Sequence, residues 1–270
     1  MLCLEIPHLK LEMVANSGQC FRMKALDADA YRVLAGKKQV DITPLGDDRF
    51  QLSCEESETD GWRRYFDIET DYGPLLTELP AGDDFLHRAA SCCDGLRILR
   101  QEPFETLISF ICSQRKSIPA IRDCVERLCE RFGEKLSEDI YAFPTPEQLA
   151  QAAESELRAC ALGYRAPYVL GTARLVASGA LDLTACSSLS DEALQQALMD
   201  CPGVGVKVAS CVMLFAYHRF SIAPVDVWIQ KVIDEEYGGV SPFPAWGARA
   251  GWYQQMLFYY RQHLIGRQKA

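Results

Sequence analysis

Lys207 and Asp226 are the two side chains whose type, placement and spacing best suit covalent chemistry. Lys207 closes the stretch Cys201-Pro202-Gly203-Val204-Gly205-Val206-Lys207, which lies between two helical patterns. Pro202 stops the helix before it and biases Cys201 away from helical geometry. Gly203 and Gly205 permit a tight hairpin with positive φ and a bare backbone. The next helix starts near Val206, so free N–H groups and the positive dipole end point out of the hairpin. That arrangement holds one phosphate without a basic side chain. Alone, a Pro-Gly-x-Gly turn is more often an ordinary helix connection. Lys207 shifts the balance, because a cation in a helix's first turn opposes the dipole at a cost of roughly 0.3–1 kcal/mol when exposed. The same potential, with partial burial, favours the neutral amine, which is a nucleophile. The competing reading is a solvated lysine in a poor position.

Asp226 lies in Ala223-Pro224-Val225-Asp226-Val227-Trp228, with Pro224 at a helix start. A lone Asp there is usually dipole compensation. Geometry raises the functional reading. A helix from Val206 to Tyr217 is about 18 Å long, and the return from His218 to Ala223 can span about 20 Å. The chain can climb one helix and come straight back, placing the start of the Asp226 helix beside Lys207. Cys211, four residues after Lys207, shares its helix face; otherwise it is a core thiol.

The elements that must position these groups fall into two regions. Up to about residue 54 the pattern is strand-like: Tyr31–Ala35, Gln39–Ile42 and Arg49–Ser53 alternate between turn signals at 36–38 and 46–48. From about residue 60 the period becomes helical, with Leu107, Phe110, Ile111 and then Ile118, Ile121, Val125, Leu128. Thr145-Pro146-Glu147-Gln148 is a capping box, Ser190 caps a helix running to Asp200, and a long amphipathic pattern covers about 244–265. The expected fold class is α+β: a small antiparallel β-rich N-terminal domain over 1–99 and an all-helical domain over 100–270.

Composition bounds the function. Of 270 residues, 49% are hydrophobic and 24% charged, a globular balance with ample core material. No apolar run approaches ~18 residues, and the N-terminus lacks a signal-peptide pattern, so no membrane partner and a cytoplasmic location are expected. Twelve cysteines without a Cys-x-x-Cys pair read as reduced, mostly buried thiols rather than a zinc site. The net charge of −9 argues against nucleic acid, but residues 41–84 carry thirteen acidic and three basic side chains, leaving +1 for the remainder. A DNA-binding face elsewhere is compatible with that distribution.

A helix-hairpin-helix with Pro-Gly-Val-Gly-x-Lys, followed 19 residues after the lysine by the aspartate of Pro-Val-Asp, resembles the helix-hairpin-helix DNA glycosylase superfamily. Within it the chain is most similar to the 8-oxoguanine DNA glycosylase/AP lyase family. Four further segments carry the likeness: Ser17-Gly18-Gln19-Cys20-Phe21-Arg22, Ser109–Ser113, Gly163-Tyr164-Arg165-Ala166, and Ala250–Phe258. The resemblance implies that an N-terminal domain like half of a TATA-binding fold precedes the helical domain. It implies that Lys207 is the nucleophile and Asp226 its partner, and that the Gly18 carbonyl accepts the N7 hydrogen that 8-oxoguanine has and guanine lacks. Cys211, Gln254 and Phe258 would line the base pocket, with Gln254 reading and Phe258 stacking. Tyr164 would wedge into the base stack, while Arg165, Arg115 and the hairpin residues Gly203, Gly205 and Val206 would touch DNA.

The implied partner is duplex DNA containing a damaged base, bound by a monomer. No cysteine follows Cys211, so the iron–sulfur branch is excluded and no cofactor is expected; hairpin carbonyls could hold a structural cation that sequence does not reveal. Independently of the family, Gln254 and Phe258 share a helix face at i,i+4, a spacing more often a half-buried core contact. Three departures concern the opposite strand and its surroundings. Arg115-Lys116-Ser117 replaces three asparagines of animal members, Ala120 replaces an arginine that reads the opposite cytosine, and Trp228 replaces a histidine. Two alternatives stay open: a glycosylase for alkylated purines, against which Lys207 and Gly18 speak, and a non-enzymatic DNA-binding module, which leaves Lys207, Asp226 and the Gln254/Phe258 face without a role.

Overall fold

A computed structural model describes residues 2–27 and 29–265; the outer limits of the two expected domains, residues 1 and 266–270, lie outside it. The alternating runs pair into one antiparallel sheet of β1 (Leu2–Glu5), β2 (Met23–Ala25), β3 (Tyr31–Ala35), β4 (Lys38–Gly46) and β5 (Arg49–Leu52), in the order β1-β5-β4-β3-β2. Hairpins close at both turn signals, with Val33 opposite Val40 and Ile42 opposite Leu52. Because side chains alternate across a strand, Leu4, Val33, Val40, Ile42, Phe50 and Leu52 bury together. Trp62, Tyr65 and Phe66 at the end of α2 (Thr59–Tyr65) complete that core. A short helix, α1 (Leu11–Asn16), interrupts the strand pattern and leads into the Ser17-Gly18-Gln19 turn.

Helices dominate the rest: α3 (Gly73–Thr77), α4 (Asp84–Cys92), α5 (Pro103–Ser113), α6 (Ile118–Phe132), α7 (Pro146–Ala150), α8 (Glu154–Leu157) and α9 (Ala166–Ala177). They continue with α10 (Asp191–Met199), α11 (Val206–Phe215), α12 (Val227–Glu236), α13 (Phe243–Trp246) and α14 (Ala250–Tyr259). The expected caps form: Thr145 and Gln148 satisfy each other's backbone N–H groups, and the Ser190 hydroxyl accepts from Ala193 N at 3.2 Å. The amphipathic pattern over 244–265 is not one helix. Gly247, at φ +51°, breaks it into α13, a short turn, α14 and a wider final coil over Tyr260–Ile265. A small hairpin of β6 (Lys135–Ser137) and β7 (Ile140–Tyr141) also lies inside the helical region.

The two hydrophobic cores do not divide at residue 99. Phe85, Leu86, Ala89, Leu96 and Ile98 pack into the helical core, whereas Leu99 belongs to the sheet's core. The Trp252 indole N–H, donating to the Leu96 carbonyl at 3.0 Å, ties α14 to that same segment. Among the described residues no helix is long and apolar enough to cross a membrane. All twelve cysteines are free, nine of them buried.

Glu105 links sheet and helices by accepting from Gly36 N at 2.7 Å. Burial pushes its carboxyl up to about 7, although Arg22 and the Gly36 bond oppose the shift. A raised carboxyl pKa means the folded chain holds the proton more tightly than the unfolded chain, whose value is near 4.3. That stabilisation is complete below about pH 4 and is lost as pH rises through about 7. Glu105→Gln keeps an acceptor for Gly36 and removes the titration. Thermal denaturation against pH should therefore show the variant gaining on the wild type from about pH 5 to about 8; parallel curves would contradict this.

Candidate active site

The hairpin forms where Pro202 and Gly203 place it, and α11 starts at Val206. Gly203 has φ +72°, and a Cβ there would lie 2.3 Å from the Tyr168 ring, so both conformation and space require glycine. Gly205 differs from expectation. It is extended, with φ −100° and ψ −179°, and caps α11 with open space around it. Its lack of a side chain leaves the helix N-terminus uncovered rather than supplying a left-handed turn. Val206 is exposed at that end.

The return from α11 closes against α14. Gly251 N donates to Phe220 O at 2.7 Å, and a Cβ on Gly251 would meet Ile222 O at 2.4 Å. This close approach brings the start of α12 back to the start of α11. Asp226 caps α12: its Oδ1 accepts from Trp228 N and Ile229 N, both at 2.9 Å. Cap and chemistry are compatible, because two amides hold one oxygen and leave Oδ2 without a protein donor among the described residues.

Lys207, Cys211, Asp226, Gly18, Gln254 and Phe258 line one inner cavity. The amine lies 5.2 Å from the Phe110 ring centroid, and Phe110 stacks on Phe215 at 5.5 Å with planes 16° apart. Burial pushes the Cys211 thiol up, with Lys207 opposing, so the cysteine stays protonated and is no nucleophile at neutral pH. Gln254 is buried, and its Oε1 has no hydrogen-bond partner among the described residues. A buried, unpaired amide oxygen costs on the order of 1–3 kcal/mol, which a ligand donor would recover. The cavity measures only about 50 Å³, far below the roughly 300 Å³ at which ligand pockets begin. Phe258 accounts for this, since its ring lies against Gly18, 3.4 Å from where a Cβ would sit.

This cavity opens into a groove of about 910 Å³ whose walls carry Arg115, Lys116, Arg122 and Lys207 against the single acid Asp226. A chain of net charge −9 thus presents local positive potential at its site. Arg115 is exposed, at φ +52°, with no hydrogen bond or ion pair among the described residues. Lys116 is engaged, donating to the Ala161 carbonyl at 2.7 Å. Tyr164 is 46% exposed, with its ring edge against Tyr168.

Arg165 is not available to a ligand. It is 6% exposed and donates to the carbonyls of Gln114 and Leu162. Its guanidinium sits 4.3 Å from the Tyr164 ring centroid, so it braces the tyrosine instead of reaching beyond it. Sequence reasoning missed Phe110 and Phe215 as cavity walls, hidden in apolar helical patterns. It also missed Gln114, which donates to the Gly203 carbonyl at 3.1 Å and joins the α5–α6 connection to the hairpin.

Lys207, on the second helix of the hairpin, and Asp226, at the start of the next helix, thus line one cavity. Residues 108–241 match the family model of HhH-GPD superfamily base excision DNA repair proteins, and residues 1–107 match the N-terminal domain of 8-oxoguanine DNA glycosylase. The chain belongs to the 8-oxoguanine DNA glycosylase family. MBOgg1, solved with a low-affinity DNA ligand, is 32% identical with a TM-score of 0.92, covering 96% of this chain and 94% of that one. The 8-oxoguanine glycosylase/lyase of Clostridium acetobutylicum, solved with duplex DNA containing cytosine opposite 8-oxoG, is 34% identical at TM-score 0.89, covering 95% and 92%. The N-glycosylase/DNA lyase of Saccharomyces cerevisiae is 32% identical over 211 residues, a stretch covering 61% of this chain and 56% of the yeast protein.

Proposed function

We propose that this chain is a bifunctional DNA glycosylase and AP lyase that removes 8-oxoguanine from duplex DNA, acting as a monomer in the cytoplasm. The observation that carries the reading is the inner cavity, which Lys207 and Asp226 line together with Gln254, whose buried Oε1 has no partner among the described residues. The damaged nucleotide leaves the stack, because its glycosidic bond is out of reach within the duplex. Phe258 swings off Gly18 and stacks on the extruded base; Gln254 and the Gly18 carbonyl read it. Asp226 helps generate the neutral amine of Lys207 and stabilises positive charge developing on the deoxyribose. The amine attacks C1′, the C1′–N9 bond breaks, and the base departs with the bonding pair. The bound nitrogen sheds a proton and opens the sugar ring, breaking C1′–O4′ as O4′ takes up a proton; the resulting Schiff base acidifies C2′, whose proton is lost as the 3′ C–O bond breaks in β-elimination.

The hairpin N–H groups at Gly205 and Val206 hold a backbone phosphate, Arg115 adds a second contact, and Tyr164 fills space at the lesion. These steps draw on no cofactor. Of the carbonyls around the hairpin, those of Leu198, Cys201 and Gly203 each already take a protein donor. Nine buried free thiols suit the reducing interior proposed for the chain. Borohydride trapping on duplexes carrying 8-oxoguanine, an alkylated purine or an abasic site tests the reading. Trapping with 8-oxoguanine and the abasic site is expected; trapping with the abasic site alone would overturn the substrate.

Opposite-base selectivity should be relaxed. A bidentate arginine contact to a base is worth roughly 1–3 kcal/mol, or about 5- to 150-fold. Ala120 cannot make it, and Arg165 is held in the interior. Single-turnover excision opposite cytosine, thymine, guanine and adenine should differ by less than about a hundredfold. A larger cytosine preference would assign the reading to Arg115, the exposed cation left in the α5–α6 connection.

A further inference from the structure

Three consecutive carbonyls at the end of α1 are each held by a side chain from a different part of the helical body. Arg122 of α6 donates to Ala15 O at 2.5 Å, His263 to Asn16 O at 2.9 Å, and Gln255 of α14 to Ser17 O at 2.6 Å. The fourth carbonyl, Gly18 O, takes no protein donor among the described residues. Beyond it the chain is fixed again: Gln19 donates to Arg97 O at 2.9 Å and accepts from Leu99 N at 2.7 Å, and Gln101 donates to Gln19 O at 2.7 Å. Gly18 itself sits at φ +74°, and glycine torsions are soft. The direction of its carbonyl is therefore set by the anchored peptides on either side.

We infer that Gln255 is a positioning residue that sets the Gly18 carbonyl for the N7 hydrogen of the extruded base. Gln254 and Gln255 both line the inner cavity, but the Gln255 amide nitrogen is committed to Ser17 O, whereas the Gln254 oxygen has no partner among the described residues. One helix thus holds both a reader and the support of the other reader. Gln255 is 3% exposed, so its amide bond to Ser17 O is shielded from water and is not replaced by solvent when lost. The inference rests on the proposed 8-oxoguanine chemistry.

The test compares Gln255→Met, which keeps volume and removes the donor, with Gln255→Glu, which donates only when protonated. In full-length protein, Gln255→Met should lower single-turnover 8-oxoguanine excision roughly tenfold while abasic-site nicking stays within about twofold of wild type. For Gln255→Glu, the ratio of excision to nicking should rise as pH falls, whereas for Gln255→Met it stays flat. This ratio also decides the matter if Gln255→Met fails to fold. Equal losses on both substrates, or a pH-independent ratio in Gln255→Glu, would overturn the inference and leave the activity standing. A wild-type chain that nicks abasic sites but spares 8-oxoguanine would overturn the activity reading, and the inference with it.

Discussion

Lys207→Gln is expected to abolish covalent trapping by borohydride and to slow excision at least roughly a thousandfold, the order seen when a nucleophile is removed while binding groups remain. Lesion-containing DNA should still bind. Lys207 is one of four Lys and Arg side chains on the groove, and the phosphate contact proposed for the hairpin would use backbone N–H groups of Gly205 and Val206 rather than the amine. Glutamine keeps a polar, uncharged but shorter side chain beside Phe110 and cannot form an iminium. Undiminished trapping in this variant would show that another amine attacks.

The second large effect separates base reading from sugar chemistry. Phe258→Ala removes a stacking surface worth about 1–3 kcal/mol per base, a loss of roughly 5- to 150-fold in 8-oxoguanine excision. Gln254→Ala removes hydrogen bonds to the base and should cost roughly tenfold. Abasic-site nicking needs no base and should suffer less in both variants. Gln254→Ala carries an added signature: deleting an unpaired buried oxygen relieves the free protein, so its thermal stability should fall little despite the truncation. Equal losses on both substrates would make the pair structural.

That Lys207 and Asp226 share one cavity was legible in the sequence, because helix rise and strand reach let the chain return to its starting level. The sheet was legible because a period of two leaves one face to bury. Side-chain type alone did not distinguish Arg165, pinned to the Gln114 carbonyl, from the exposed Arg115; burial of a cation depends on carbonyls contributed from elsewhere in the chain. The break at Gly247 was hidden because apolar spacing carries across a single left-handed residue. The Gln255–Ser17 bond joins residues 238 positions apart, a pairing no local pattern encodes. Closure of the cavity by Phe258 was equally out of reach, since i,i+4 spacing places the ring on the right face without saying how it rotates.

Borohydride reduction of the wild-type chain on a duplex containing 8-oxoguanine, followed by proteolysis and mass spectrometry of the cross-linked peptide, tests the central claim most directly. The adduct should lie on the peptide containing Lys207, with free 8-oxoguanine released in equal amount. An adduct on any other residue, or base release with no adduct at all, would contradict lysine-mediated excision.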